Sequence, residues 1–173
     1  CESAATTPIQ VTVQAVPTAG AIAAAQTICD NGDPAAFTST TPGTGSGTIT
    51  YRWESAVSPF SSWSNIAGAN TETYDVPSGL TVTTQYRRIT ISTLNSVACE
   101  SAATTPIQVT VQAVPTAGAI AAAQTICSGG DPAAFTNTTP GTGSGTITYR
   151  WESAVSPFSS WSNIAGANTE TYD

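Results

Sequence analysis

The side chains able to do chemistry in this chain are few, and their types narrow the options quickly. Four cysteines, eleven acidic residues and four arginines make up the inventory, with no lysine, histidine or methionine. Cys1, Cys29, Cys99 and Cys127 fit no zinc pattern, because no CxxC occurs and no imidazole can act as co-ligand. Structural disulfides are the chemistry that remains. The expected pair is Cys29 with Cys99, with the partners of Cys1 and Cys127 outside residues 1–173. Closing a loop across those 70 positions contributes ~4 kcal/mol in the chain-entropy treatment. Strand counting opposes the pairing, since it puts Cys29 after the first strand and Cys99 after the sixth, near opposite ends of a sandwich. Either the first strand is short or shifted, or the bridges join neighbouring copies.

The acidic residues suggest two sites, and both fail on inspection. Asp30-Asn31-Gly32-Asp33 has the look of a calcium loop, but its counterpart reads Ser128-Gly129-Gly130-Asp131 and keeps one carboxylate. A glycosidase pair drawn from Glu54, Glu72 and Asp75 is conceivable on residue type alone. Identical copies in series argue against it, so no catalytic residue, metal or cofactor is expected. Arg52, Arg87 and Arg88 are expected on sheet faces, paired across strands with Glu54, Glu72 or Asp75. Trp63, Phe60 and Tyr74 are the aromatic residues that could stack on a sugar, although an aromatic at the edge of a core is the commoner case. With net charge −7 and 9% charged residues, nothing here neutralises phosphates, so nucleic acid is not an expected partner. No apolar run reaches the length of a membrane span.

The elements that carry these residues are set by a repeat. The run Cys1-Glu2-Ser3-Ala4-Ala5 returns at Cys99-Glu100-Ser101-Ala102-Ala103, and residues 1–75 align with 99–173 without a gap at a period of 98. Three positions differ: Asp30/Ser128, Asn31/Gly129 and Ser39/Asn137. A 98-residue period is too long for a solenoid unit and suits a self-contained sandwich. Boundaries fall at Pro17 and Pro115. Residues 1–16 are then the last strand of a preceding repeat, 17–114 a complete repeat, and 115–173 the N-terminal part of the next.

Within the complete repeat, alternation and turn residues predict seven strands: 21–28, 35–40, 48–54, a short piece at Trp63–Ile66, 71–75, 82–92 and 105–113. The expected core is Ile49, Tyr51, Trp53, Tyr86, Ile107, Val109 and Val111. Tyr86 has the opposite parity to Ile89 and Ile91, which predicts a bulge near Arg87-Arg88. Seven short strands around a central Trp indicate an all-β, immunoglobulin-like β-sandwich, repeated in tandem.

Several segments together resemble a known family. They are Gln26-Thr27-Ile28-Cys29 leading to Gly32-Asp33-Pro34-Ala35-Ala36-Phe37, Tyr51-Arg52-Trp53-Glu54-Ser55, Trp63-Ser64-Asn65-Ile66-Ala67-Gly68-Ala69, Thr84-Gln85-Tyr86-Arg87-Arg88, and Cys99-Glu100-Ser101 before Val109-Thr110-Val111. The chain is similar to the immunoglobulin-like repeats of giant Bacteroidota cell-surface proteins, in particular SprB-type gliding-motility adhesins. That resemblance implies export through the type IX secretion system and display as a long filament attached to the outer membrane of a Gram-negative cell. It also implies gripping of the substratum while a motor moves the adhesin. The expected partners are neighbouring repeats of the same chain and surface polysaccharide or substratum. A carbohydrate-binding accessory module of a secreted enzyme and an inert spacer are the alternatives.

Overall fold

Short β-branched and aromatic runs broken by Gly, Pro and Asn favour strands over helices. The computed structural model is all-β, with no helix among the residues it describes, 1–121 and 123–173. It divides into two units, Cys1–Val111 and Gln112–Asp173.

The first unit is built on eight strands: β1 (Ala21–Ala23), β2 (Gln26–Cys29), β3 (Thr38–Thr41), β4 (Thr48–Val57), β5 (Ser64–Asn65), β6 (Thr84–Leu94), β7 (Val97–Ala103) and β8 (Ile107–Gln112). One sheet runs β2-β8-β6-β4-β5, with β7 also paired to β6, and β1 and β3 form a separate pair. The arrangement is consistent with a β-sandwich. Its spine is the antiparallel β4–β6 ladder, in continuous register from Thr48↔Thr93 to Val57↔Thr84. On the other side β6 is shared, because β8 takes Thr84–Tyr86 and β7 takes Ile89–Leu94.

The period of two along β6 decides what enters the core. Thr84, Tyr86, Arg88, Thr90 and Ser92 are all buried. Tyr86 joins Phe37, Trp53, Val76 and Val109 in the apolar cluster. Phe37 lies 5.9 Å from Trp53 and 5.1 Å from Tyr86, ring centre to ring centre, and Tyr74 closes the group 5.5 Å from Trp53. The indole nitrogen of Trp53 donates to the Thr71 carbonyl at 2.9 Å. Beyond the aromatic cluster the core becomes small and polar for a steric reason. A Cβ on Gly43 would stand 2.0 Å from Thr90 Oγ1, and one on Gly45 would stand 2.5 Å from Ser92 Cβ. The glycine-rich stretch therefore lies directly on β6, where only hydroxyl-sized side chains fit beneath it.

Several expectations from the sequence are corrected here. The first predicted strand is two strands, β1 and β2, separated by Ala24-Ala25. Residues 71–75 form no strand and contribute a single bridge, Phe37↔Tyr74. The β6–β7 hairpin went unpredicted. Its turn residues Asn95 and Ser96 have φ of 50° and 64°, the geometry of a two-residue hairpin loop, but β7 is rich in Ala and Ser and carries little hydrophobic signal. The bulge falls between Ile89 and Ile91 against β7, while the β4–β6 ladder passes Arg87 and Arg88 in register. Parity is kept by placing Arg88 in the core. Of the expected core, Trp53, Tyr86 and Val109 are buried, Ile107 packs against them, and Ile49, Tyr51 and Val111 are half-buried.

The second unit contains β9 (Ala119–Ile120), β10 (Asn137–Thr139), β11 (Glu152–Ser153) and β12 (Ser162–Asn163), paired β9–β10 and β11–β12. It repeats the local geometry of the first copy. Phe135 is 6.0 Å from Trp151, Trp151 is 5.5 Å from Tyr172, and Phe135 bridges Tyr172.

Candidate functional site

Four charged residues, Arg52, Glu54, Arg87 and Glu100, gather on the face of the β4–β6 ladder opposite the aromatic core. Glu54 and Arg87 are directly opposed in register, so a salt bridge between them follows from strand pairing alone. Arg87 Nε donates to Glu54 Oε2 at 2.7 Å, and its Nη2 lies 2.6 Å from the same oxygen. Arg52, two residues before Glu54 on the same face, reaches Oε1 at 3.3 Å and also bonds Glu100 on β7. The bond to Glu100 raises the pKa of Arg52. Both oxygens of Glu54, a buried residue, are thus engaged by guanidinium groups. This is a four-residue ladder tying β4, β6 and β7 together, and Glu54 stands there as an acceptor.

Trp63 lies beside this ladder, with the Arg87 guanidinium carbon 4.1 Å from its ring centre, a cation–π contact. In the second copy, Trp161 is 64% exposed. The three residues expected to stack on a sugar do not form one platform. Tyr74 turns inward onto Phe37, Trp53 and Tyr86, and Trp63 is capped by Arg87. Phe60 is half-buried with φ of 61°, and Phe158 shares the backbone geometry at 62° but is exposed.

Arg88 is the residue that sequence reasoning misplaced. It was expected on a sheet face beside a carboxylate, and it is fully buried. Its Nη1 donates to Ser39 Oγ at 3.0 Å and to the Glu72 carbonyl at 2.7 Å, while Nη2 donates to the carbonyls of Ala19 at 3.1 Å and Thr41 at 3.2 Å. The Tyr51 ring lies 4.7 Å from the guanidinium carbon. Burial lowers the pKa of Arg88, although a guanidinium stays charged in proteins. One cation therefore holds three segments from across the repeat: the chain at Ala19, β3 through Ser39 and Thr41, and the chain at Glu72. No local pattern signals this, because Ala19 is 69 positions away along the chain.

The four cysteines are unbonded in this structure, and the strand register sets the expected partners Cys29 and Cys99 apart. The Cys29 carbonyl accepts from Gly32, which bridges Leu80, so Cys29 lies toward the start of β6. Cys99 is registered with Ser92 near the other end of that strand. Eight residues of strand separate Thr84 from Ser92, roughly 25 Å at ~3.3 Å each. A disulfide needs Cα atoms within about 7 Å.

The acidic loop shows what the copies can exchange. Asn31 has φ of 62° and Gly129, in its place, 78°. Both residue types tolerate the left-handed region, so that substitution preserves the turn. Ser39 accepts from Arg88, whereas Asn137 donates to Glu170 at 2.6 Å. Nothing in the structure explains Asp30/Ser128. Among the described residues, no cluster of acidic or cysteine side chains is arranged to hold a metal.

The family described as a domain of unknown function (DUF8696) matches residues 18–113 and again residues 116–173. No curated protein and no solved structure matches the chain.

Proposed function

We propose that this chain, which belongs to the DUF8696 family, is part of a stalk of tandem immunoglobulin-like β-sandwich repeats on a cell surface. In this reading it bears tension and contacts the substratum, as its resemblance to gliding-motility adhesin repeats implies. The observation that carries the proposal is direct repetition: 72 of 75 aligned positions are identical between copies (75 less the three that differ). Length gained by copying one domain suits a spacer or fibre, where each copy adds reach. One repeat adds roughly 35 Å at ~3.3 Å per residue of strand. A weak contact per copy gains avidity by multiplicity. Export, attachment to the outer membrane and engagement with a motor stand as parts of the same proposal.

The interactions described above suit such a task. The Glu54 ladder links three strands of one sheet, and Arg88 fastens the first residues of the repeat to its central strand. Single-molecule stretching of a tandem array tests the reading. The expected result is a series of equal unfolding steps, each releasing roughly 300 Å, which is 98 residues at ~3.5 Å less the folded length. Extension with no resolved force peaks would defeat the stalk reading. A glycan array probed with the same protein then separates an adhesive stalk from an inert spacer.

A further inference from the structure

The segment before the first complete repeat is held at one point. Every residue from Cys1 to Val16 is exposed except Gln14. Ile9, Val11 and Val13 are at least 83% exposed, whereas Val109, the counterpart of Val11, is fully buried. Gln14 is different because its carboxamide reaches the tip of the β6–β7 hairpin. Its Nε2 donates to the Val97 carbonyl at 2.8 Å and the Leu94 carbonyl at 3.5 Å, and its Oε1 accepts from Ser92 Oγ at 3.4 Å. The same Ser92 hydroxyl accepts from the Gly47 amide at 2.9 Å. Thr12 and Gln14 line a cleft of about 110 Å³ with Leu94, Asn95, Val97 and Cys99.

By the repeat alignment, Gln14 belongs to the end of the last strand of the preceding copy, and its equivalent here is Gln112. We propose that this glutamine is a junction lock, and that the β6–β7 hairpin of each repeat is the docking surface for the end of the repeat before it. The occupant is a neighbouring copy of the same domain, recognised through two carbonyls and a hydroxyl. The proposal rests on the tandem-repeat part of the reading above and is independent of what the stalk contacts.

Two observations converge on it. The chemistry fits, since a carboxamide offers two donors and an acceptor at once, matched to two carbonyls and one hydroxyl. The covalent path is short: two residues, Ala15 and Val16, separate Gln14 from Pro17, which is buried. Thr18 then pairs with Thr44 through backbone bonds of 2.9 and 3.3 Å and a hydroxyl contact of 2.7 Å. The junction is thus gripped on both sides.

Gln14→Glu is the sharpest test, because it keeps the shape and turns the donor toward two carbonyls into an acceptor. Backbone 15N relaxation of the 173-residue chain reads the outcome, with Gln14→Ala as a second disruption and Gln10→Glu as a charge control. In the wild type, order parameters at residues 14–16 should approach ~0.85, and either Gln14 variant should drop them below ~0.6. Amide shifts at Leu94–Val97 should move, dispersion across 18–111 should persist, and Gln10→Glu should match the wild type. Residues 14–16 that are mobile in the wild type, or equally ordered in both Gln14 variants, would overturn the lock. Neither result bears on whether an array resists stretching, so the two readings can fail separately.

Discussion

Replacing Arg88 tests the core account most severely, because the side chain looks like a surface residue in sequence and is completely buried in the fold. In Arg88→Ala, the Glu72 carbonyl and the Ser39 hydroxyl lose their donor at half-buried positions, while the Ala19 carbonyl keeps the Thr90 hydroxyl and the Thr41 carbonyl sits at an exposed residue that water can serve. Two stranded groups at ~1 kcal/mol each, the low end for a buried unsatisfied group, give about 2 kcal/mol. The cavity left by the stem adds to this, and relief of the cation's desolvation subtracts. The net loss expected is about 2–4 kcal/mol, a large share of the ~5–15 kcal/mol typical of a domain. Arg88→Met separates the terms. It keeps most of the apolar volume and removes the buried charge, so it should lose less than alanine, though the same acceptors remain stranded. Urea unfolding followed by tryptophan fluorescence measures both, with Arg150→Ala as control. Arg150 is 69% exposed and paired only with Glu152, and should cost under ~1 kcal/mol. If Arg88→Ala lost no more than the control, or Arg88→Met matched the wild type, the clamp would not be what holds these segments.

Three further outcomes follow from the packing, the buried tyrosines and the cysteine placement. Gly43→Ala should cost about 1–3 kcal/mol in the same urea assay through its clash with Thr90, and pairing it with Thr90→Ser should recover part of the loss; no loss in the single variant would mean the glycine stretch does not lie on β6. Burial raises the pKa of Tyr86, and burial followed by the charge of Asp75 raises that of Tyr74, so the unfolded state loses these protons first. Stability should therefore be complete below about pH 10 and fall as pH rises through the folded values, seen as a melting temperature that is level to about pH 9.5 and then drops; a level profile to about pH 11.5 would contradict the burial. Thiol titration of the purified chain, unfolded without reductant, should give four thiols, and a count of two with a Cys29–Cys99 peptide would show that the two cysteines meet despite the strand register.

What the sequence made legible was the part of the fold governed by neighbours along the chain. β4, β6 and β8 announce themselves by alternation, and Trp53 is central because it lies in the most regular of these runs. The Glu54–Arg87 pair was within reach for the same reason, since cross-strand partners are fixed once two adjacent strands are found. What stayed hidden depends on contacts made across long stretches of chain. Phe37 sits just before a four-residue strand of Thr and Ser, too little context to mark it as core, and it becomes so only through Trp53, Tyr74 and Tyr86. Arg88 has a surface residue's hydropathy and a core residue's parity. The conflict with Ile89 and Ile91 was visible, but a bulge was the cheaper local explanation. Gln14 gave no signal at all, because its partners are two backbone carbonyls and a serine about 80 positions later.

The Arg88 contacts bear on the mechanical reading through where they lie in the repeat. Tension applied through a tandem array enters the repeat at Pro17 and leaves through β8. To lengthen the repeat, it must peel Thr18–Ala23 from the body or separate β2 from β8. The first route breaks the Thr18–Thr44 bonds and the Arg88 contact with Ala19, and Thr90 Oγ1 adds a further bond to the same Ala19 carbonyl at 3.2 Å. Both donors to Ala19 come from β6, the strand most fully paired within the sheet, so force at the first residues is passed to the centre of the fold rather than to an edge. If the repeat were only a spacer under no load, nothing would require a buried cation at that point, because an apolar residue of similar volume is often as stable as a buried charge. Arg88→Met in a stretched array carries this argument to its test. Its unfolding force should fall by more than its urea stability does, relative to a core variant such as Val109→Ala matched for equilibrium loss. Equal falls in the two variants would leave Arg88 a packing residue with no special place in the path of force.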